Sequence, residues 1–323
     1  MSSGFIDIQV NGYSGVDFSS SELTAGAIDA AVGQLHALGT TAFFPTVVTV
    51  APKVYDHVLP LLADAMDRHP GRIPGIHIEG PFISPEDGAV GAHPRQYVAD
   101  PSIEAFDRLS ELARGRIRLV TLAPERPGAL DLIAHLRESG VAVALGHTLT
   151  DADTVMESVA AGVRLSTHLG NGCPQMMHRH ENPVIAQLGS PLAAAIIPDG
   201  HHIPPAFIRA VAAAKGPRRL VAVSDCVALA GMPPGEYALF GTRVRKEESG
   251  RLSNLQAPGL AGSSATMLEC MNHLARVTGW SEAELWAAGR DNVLELLGIT
   301  PDAVDCSGPV VWRDGVFATG EHL

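Results

Sequence analysis

The chain has 323 residues, 46% of them apolar and 18% charged, which is ample material for a buried core and argues against disorder. A formal net charge of -12 disfavours nucleic acid or an anionic membrane as the main partner, while a small anionic substrate held by local donors stays open. The apolar runs are short, the first residues form no leader pattern, and the four scattered cysteines (Cys173, Cys226, Cys270, Cys306) make no CxxC pair, so a cytoplasmic protein with reduced thiols is expected.

In chain order, short β-branched runs predict strands over 5–10, 41–47, 73–78, 117–122, 141–145, 164–167, 193–197 and 220–223. Helical spacing fills the gaps at 25–38, 53–68, 103–112, 130–138, 152–160 and 205–214, with further helices at 263–277 and 281–297. Gly39, Gly140 and Gly162 fall where helices should stop. Strands that are almost wholly apolar and alternate with helices describe a parallel sheet covered on its outer face. A closed (β/α)8 TIM barrel is the economical form at this length, with 1–323 as a single domain and 299–323 as a C-terminal extension. An open doubly wound sheet is the alternative, but no GxGxxG follows a strand and no Walker A sequence occurs. Two loops are long: 80–97 after the third strand, and 226–262 after the eighth, with a hairpin predicted around 240–252. Both follow strand C-termini, the end where barrel enzymes keep their active sites.

The residues that end the strands carry the chemistry. Strand three ends Gly-Ile-His-Ile-Glu79, strand five Ala-Leu-Gly-His147, strand six Leu-Ser-Thr-His168 and strand eight Ala-Val-Ser-Asp225. Each alone has a bland reading as a turn or hydrogen-bonding residue. In a closed barrel, however, all four converge. Two imidazoles and a carboxylate make a catalytic zinc set with a position open for water, and a further carboxylate supplies the base. His77 lies two residues before Glu79 on the same face and reads equally as packing, as a support for a ligand, or as a ligand. Asp199 reads as a cap or orienting group, and Cys226 lacks a paired base for nucleophilic work. His36, His57, His69, His135 and His273 fall on predicted helices and are expected at the solvent.

The segments Gly4-Phe-Ile-Asp-Ile-Gln-Val-Asn-Gly12, His77-Ile-Glu-Gly-Pro-Phe82, Gly146-His-Thr, Thr167-His-Leu-Gly-Asn-Gly172, Asp199-Gly-His-His202, Ser224-Asp225 and Leu260-Ala-Gly-Ser-Ser264 run in order across 4–298. Together they resemble the N-acetylglucosamine-6-phosphate deacetylases of the amidohydrolase superfamily. The resemblance implies hydrolysis of the acetamide of N-acetylglucosamine 6-phosphate. It implies that Glu79, His147 and His168 hold one divalent metal ion, zinc first, with Fe2+, Mn2+ or Co2+ as alternatives. Asp225 is then the general base and acid, and His93 on the third loop contacts the acetyl carbonyl. Asn171 and Gly172 offer amide donors to the substrate, and His202 reaches the phosphate. Arg179 matches an arginine that relatives donate across a homodimer interface. Relatives with two metals begin the barrel with His-x-His, where this chain has Gln9 and Asn11, so one metal per chain is expected.

The chain departs from the pattern at its ends. Many relatives carry an N-terminal β-sandwich segment. Here the barrel starts within a few residues, and only 309–317 resembles the returning strand, so the small domain is expected to be absent or vestigial. That departure keeps a second reading open, an amidohydrolase acting on another N-acyl amino sugar or on a cyclic amide or deaminase substrate. A non-catalytic barrel would have lost a ligand or the base, and all are present.

Overall fold

The computed structural model describes residues 3–256 and 259–320. Eight parallel strands follow one another around the sheet in sequence order. They are β1 (Phe5–Val10), β2 (Thr40–Val47), β3 (Ile76–Glu79), β4 (Ile117–Leu122), β5 (Ala142–Leu145), β6 (Leu165–Ser166), β7 (Ala193–Ile196) and β8 (Leu220–Ala222). A parallel bridge between Val10 and Cys226, with the Asn11 N–H donating to the Cys226 carbonyl over 2.8 Å, closes β1 onto the chain leaving β8. The predicted (β/α)8 barrel is the observed fold, and the predicted strand bounds differ by at most three residues.

Helices cover the barrel: α1 (Ala25–Ala37), α2 (Pro52–Arg68), α3 (Ile103–Leu112), α4 (Ala129–Glu138), α5 (Ala152–Ala161), α6 (Pro183–Leu188), α7 (Pro205–Lys215) and α8 (Met267–Thr278). Their starts obey local chemistry. Thr24, Ser102, Asp151 and Thr266 each accept a backbone N–H of the first turn, and Thr266 with Glu269 completes a capping box. The helix expected over 281–297 is interrupted by a π-turn at Ala287–Asp291. There a Cβ on Gly289 would lie 2.9 Å from the Phe5 ring, so close packing on β1 decides the local geometry. Among the described residues no helix is long and apolar enough to cross a membrane.

The barrel interior is layered. Ile8, Phe44, Leu119, Ala144, Leu165 and Val221 belong to one buried apolar cluster drawn from six strands. Two residues further along, on the same strand faces, stand Thr46, Thr121, Gly146 and Thr167. Three threonines make that second layer polar on one side, immediately below the mouth.

Two additions lie outside the barrel. The predicted hairpin around 240–252 is a three-stranded antiparallel sheet, β9 (Gly235–Leu239), β10 (Thr242–Lys246) and β11 (Leu252–Asn254). Its first turn, Phe240-Gly241, has φ of 50° and 74°, the double positive φ of a tight hairpin. Near the C-terminus β12 (Val310–Arg313) and β13 (Val316–Thr319) form a hairpin where one returning strand was expected. Phe317 packs edge-on against Phe5 at 5.1 Å, seating this hairpin on the start of β1, at the opposite end from the mouth.

Candidate metal centre and active site

Glu79, His147 and His168 meet at the C-terminal mouth, their candidate ligand atoms all within 4.8 Å of one another. His168 Nε2 is 2.9 Å and His147 Nε2 3.3 Å from Glu79 Oε1, and the two Nε2 atoms are 3.1 Å apart. Strand alternation alone does not produce this. Gly146 and Thr167 face the interior, so the next residue in each strand should face outward. His147 (φ 52°) and His168 (φ 27°) instead adopt left-handed backbone, which turns their rings back over the mouth. Asp225 does the same with φ 49°.

The His147 ring is confined on both sides. A Cβ on Gly91 would come within 3.0 Å of its Cε1, and one on Gly172 within 3.0 Å of its Nδ1. His147 Nδ1 lies 2.7 Å from the Ala89 carbonyl, which can only accept. The proton is therefore on Nδ1, and the Nε2 lone pair points into the triad. A carboxylate and two imidazole nitrogens packed this closely form a donor set that suits a divalent cation. The electrostatics agree. Burial opposes the charged form of Glu79, yet the two imidazoles against it, His147 and His168, hold its carboxyl well below the usual range. Burial likewise opposes protonated His168, and the Glu79 hydrogen bond outweighs it, so His168 is raised.

Asp225 stands next to this triad and outside it. Burial, helped by the charge of Glu79, pushes its carboxyl up to about 6. Asn11 Nδ2 donates to Asp225 Oδ1 at 2.7 Å, and Gln9 Nε2 donates to Glu79 Oε1 at 2.8 Å. Gln9 and Asn11 were anticipated only as poor ligands. Their amides in fact orient the carboxylate of the triad and the carboxylate beside it.

The remaining predicted site residues divide. His93 lies beside the triad, its ring 4.4 Å from that of His147 and edge-on to it. Its Nδ1 accepts from the Thr49 N–H at 3.3 Å, so the ring proton sits on Nε2. Burial, with His147 next to it, lowers His93 to about 3, which keeps the ring neutral. A Cβ on Gly80 would sit 2.2 Å from Thr49 Oγ1, so glycine is required for this contact, and its φ of 81° agrees. Asn171 and Gly172 follow His168 directly, the Asn171 amide donating to the His168 carbonyl at 2.9 Å. The His202 side chain is largely covered, and Asp199 Oδ2 takes its Nδ1 at 2.7 Å. Asp199 is thus an orienting group, held at about 2 because bonds from His202 outweigh its burial. Arg179 is exposed on the loop after β6 and, among the described residues, makes no hydrogen bond or ion pair.

His77 is not in the triad. Its Nδ1 contacts the Ile8 carbonyl at 2.9 Å and its Nε2 the Thr121 hydroxyl at 2.8 Å. Of the histidines expected at the solvent, His57 is exposed as anticipated and the other four are half-buried instead. His69 and His135 pair with Asp29 and Asp107 at 2.7 Å, His36 lies 3.5 Å from Asp305, and His57 donates to the Leu23 carbonyl. His273 packs on Gly200. Each borders a carboxylate, a carbonyl or a close neighbour that helix periodicity does not reveal. All four cysteines are free thiols.

No family model matches this sequence. Among curated proteins, the N-acetylglucosamine-6-phosphate deacetylase of Bos taurus is 34% identical over 309 residues, covering 92% of this chain and 74% of the relative. The N-acetylgalactosamine-6-phosphate deacetylase of Escherichia coli O157:H7 is 30% identical over 298 residues, covering 91% and 77%. Among solved structures, the N-acetyl-D-glucosamine-6-phosphate deacetylase of Mycobacterium smegmatis superposes with a TM-score of 0.85 at 30% identity, covering 98% of this chain and 87% of that one.

Proposed function

The chain belongs to the N-acetylglucosamine-6-phosphate deacetylase family, and on that footing we propose that it hydrolyses the acetamide of N-acetylglucosamine 6-phosphate to glucosamine 6-phosphate and acetate. The observation that carries this is the meeting of Glu79, His147 and His168 at one barrel mouth, with Asp225 held beside them by Asn11.

Glu79, His147 and His168 hold one divalent cation, with zinc the first candidate. When bound, such a cation acts as a Lewis acid that makes water more acidic and polarises an acyl oxygen. Asp225 takes the proton of the attacking water and returns it to the departing amine; a buried carboxyl raised to about 6 suits both directions. His93, neutral and protonated on Nε2, donates to the acyl oxygen as negative charge develops there. Asn171 and Gly172 line the substrate beside His147. His202, fixed by Asp199, takes the phosphate.

Arg179 reaches the same phosphate from a second copy of the chain in a homodimer. Its lack of a partner among the described residues supports this, as does the exposure of Met176 (90%) and Ile185 (49%) around it. The four free thiols fit a reducing, cytoplasmic setting. The test is acetate release from N-acetylglucosamine 6-phosphate, its galactosamine epimer and the unphosphorylated sugar, with metal content measured on the same sample. The first substrate should be preferred. Preference for the epimer, the substrate class named for the Escherichia coli relative, moves the assignment to another N-acyl amino sugar.

A further inference from the structure

The polar layer below the mouth is a directed hydrogen-bond chain. The Ile8 carbonyl can only accept, so His77 Nδ1 carries the ring proton at 2.9 Å, and His77 Nε2 must accept. It accepts from the Thr121 hydroxyl at 2.8 Å. With that proton committed, Thr121 Oγ1 accepts from Thr167 Oγ1 at 2.7 Å. All three side chains are buried, His77 at 1%, Thr121 at 0% and Thr167 at 4% exposure. Apolar side chains fill the layer beneath, so the barrel does not need polar groups here in order to pack.

The chain touches each ligand-bearing strand. His77 is two residues below Glu79, and Thr121 pairs with Glu79 in register. Thr167 immediately precedes His168. Gly146 immediately precedes His147, and a Cβ there would lie 2.8 Å from both Thr121 Cγ2 and Thr167 Cβ. Glycine at 146 is therefore what lets the two threonines meet across β5.

We propose that the Thr167–Thr121–His77–Ile8 chain positions the metal triad, with His77 as the positioning residue that sets the height of Glu79 against His147 and His168. This rests on reading those three residues as the ligands. Metal–ligand bonds of about 2 Å tolerate little displacement. Loss of the chain therefore weakens cation binding even where the barrel remains folded.

The experiment compares Thr121→Val, nearly isosteric but without the hydroxyl, with Thr121→Ser, which restores it. Metal-free protein is titrated with zinc against a chromophoric chelator, well below the Tm of each metal-free variant. Thr121→Val should bind zinc about 10–100-fold more weakly, and Thr121→Ser within roughly threefold of the unmodified chain. Thr167→Val, which removes only the first hydroxyl of the chain, gives the same reading if Thr121→Val does not fold. Unchanged zinc affinity in the folded valine variant overturns the proposal, even if its Tm falls, since a purely structural layer would do that. Failure of the unmodified chain to bind zinc, manganese or cobalt removes the ligand reading itself.

Discussion

Asn11 donates its side-chain N–H to Asp225 Oδ1 over 2.7 Å, across the seam where β1 meets the chain leaving β8. The bond favours the ionised carboxylate against burial and the charge of Glu79, the two influences that raise Asp225. The base form exists above a pH of about 6, so kcat/KM should fall as pH drops through that value. A cation in the triad draws the limb lower still. Asn11→Ala should move the acidic limb upward and lower the plateau roughly tenfold. A pH–rate profile of metal-loaded protein checks both; an unshifted limb leaves Asn11 without this role.

Asp225→Asn should keep the fold and the metal while losing about 10² to 10⁴ in turnover, the usual worth of general acid–base help. Circular dichroism and metal analysis on the assayed sample separate this from unfolding. Near-normal turnover takes Asp225 out of the mechanism.

Asp7 accepts from the Ser224 backbone N–H at 3.2 Å and from the Gln9 N–H at 3.1 Å on the same seam, and burial lifts it from 3.8 to about 7. The folded chain therefore keeps a proton that the unfolded chain releases, so stability is lost as pH rises from about 4 to 7. Asp7→Asn should remove this dependence, an effect on the order of a few kcal/mol between the ends of that window. Urea unfolding of metal-free protein at pH 5 and pH 8 reads it, and parallel losses in both proteins would contradict it.

Elemental analysis after extensive dialysis should give one equivalent of metal per chain. Both amides that stand where two-metal relatives carry histidines are engaged, Gln9 with Glu79 and Asn11 with Asp225. Two equivalents would show that they yield to a second cation.

Arg179→Ala should reduce kcat/KM roughly 10 to 150-fold for the phosphorylated sugar and hardly at all for the unphosphorylated one, the worth of one charge-assisted hydrogen bond. Mixing Arg179→Ala with Asp225→Asn should restore activity, because one site of each mixed dimer is then complete. Without recovery after subunit exchange, the arginine serves its own chain or none.

The barrel and its four converging acidic and imidazole residues were legible because each lies at the end of an apolar run, where period and punctuation are strongest. Helix α6 was missed inside a loop rich in His, Arg and Asn, although Asn182 followed by Pro183 is a cap followed by a first-turn proline. The first strand of the outer sheet was missed because it alternates between exposed and half-buried residues and contributes one buried residue, Leu239, to a core. The tasks of Gln9 and Asn11 were hidden for another reason. A neutral amide reads as a failed ligand until its carboxylate partner is placed in space.

The left-handed backbone at His147, His168 and Asp225 bears on any attempt to transplant this chemistry. Side chains with a Cβ pay about 1–2 kcal/mol for each such residue, a penalty the surrounding barrel absorbs. Grafting Glu, His, His and Asp onto the strand ends of an ordinary barrel by matching Cα positions would leave both imidazoles pointing into the helical jacket. A recipient scaffold would need the three unusual turns as well, and at the first imidazole its small neighbours, Gly146 before it and Gly172 against its ring. For a designer the transferable unit is therefore the bent strand ending, and the residue types come second.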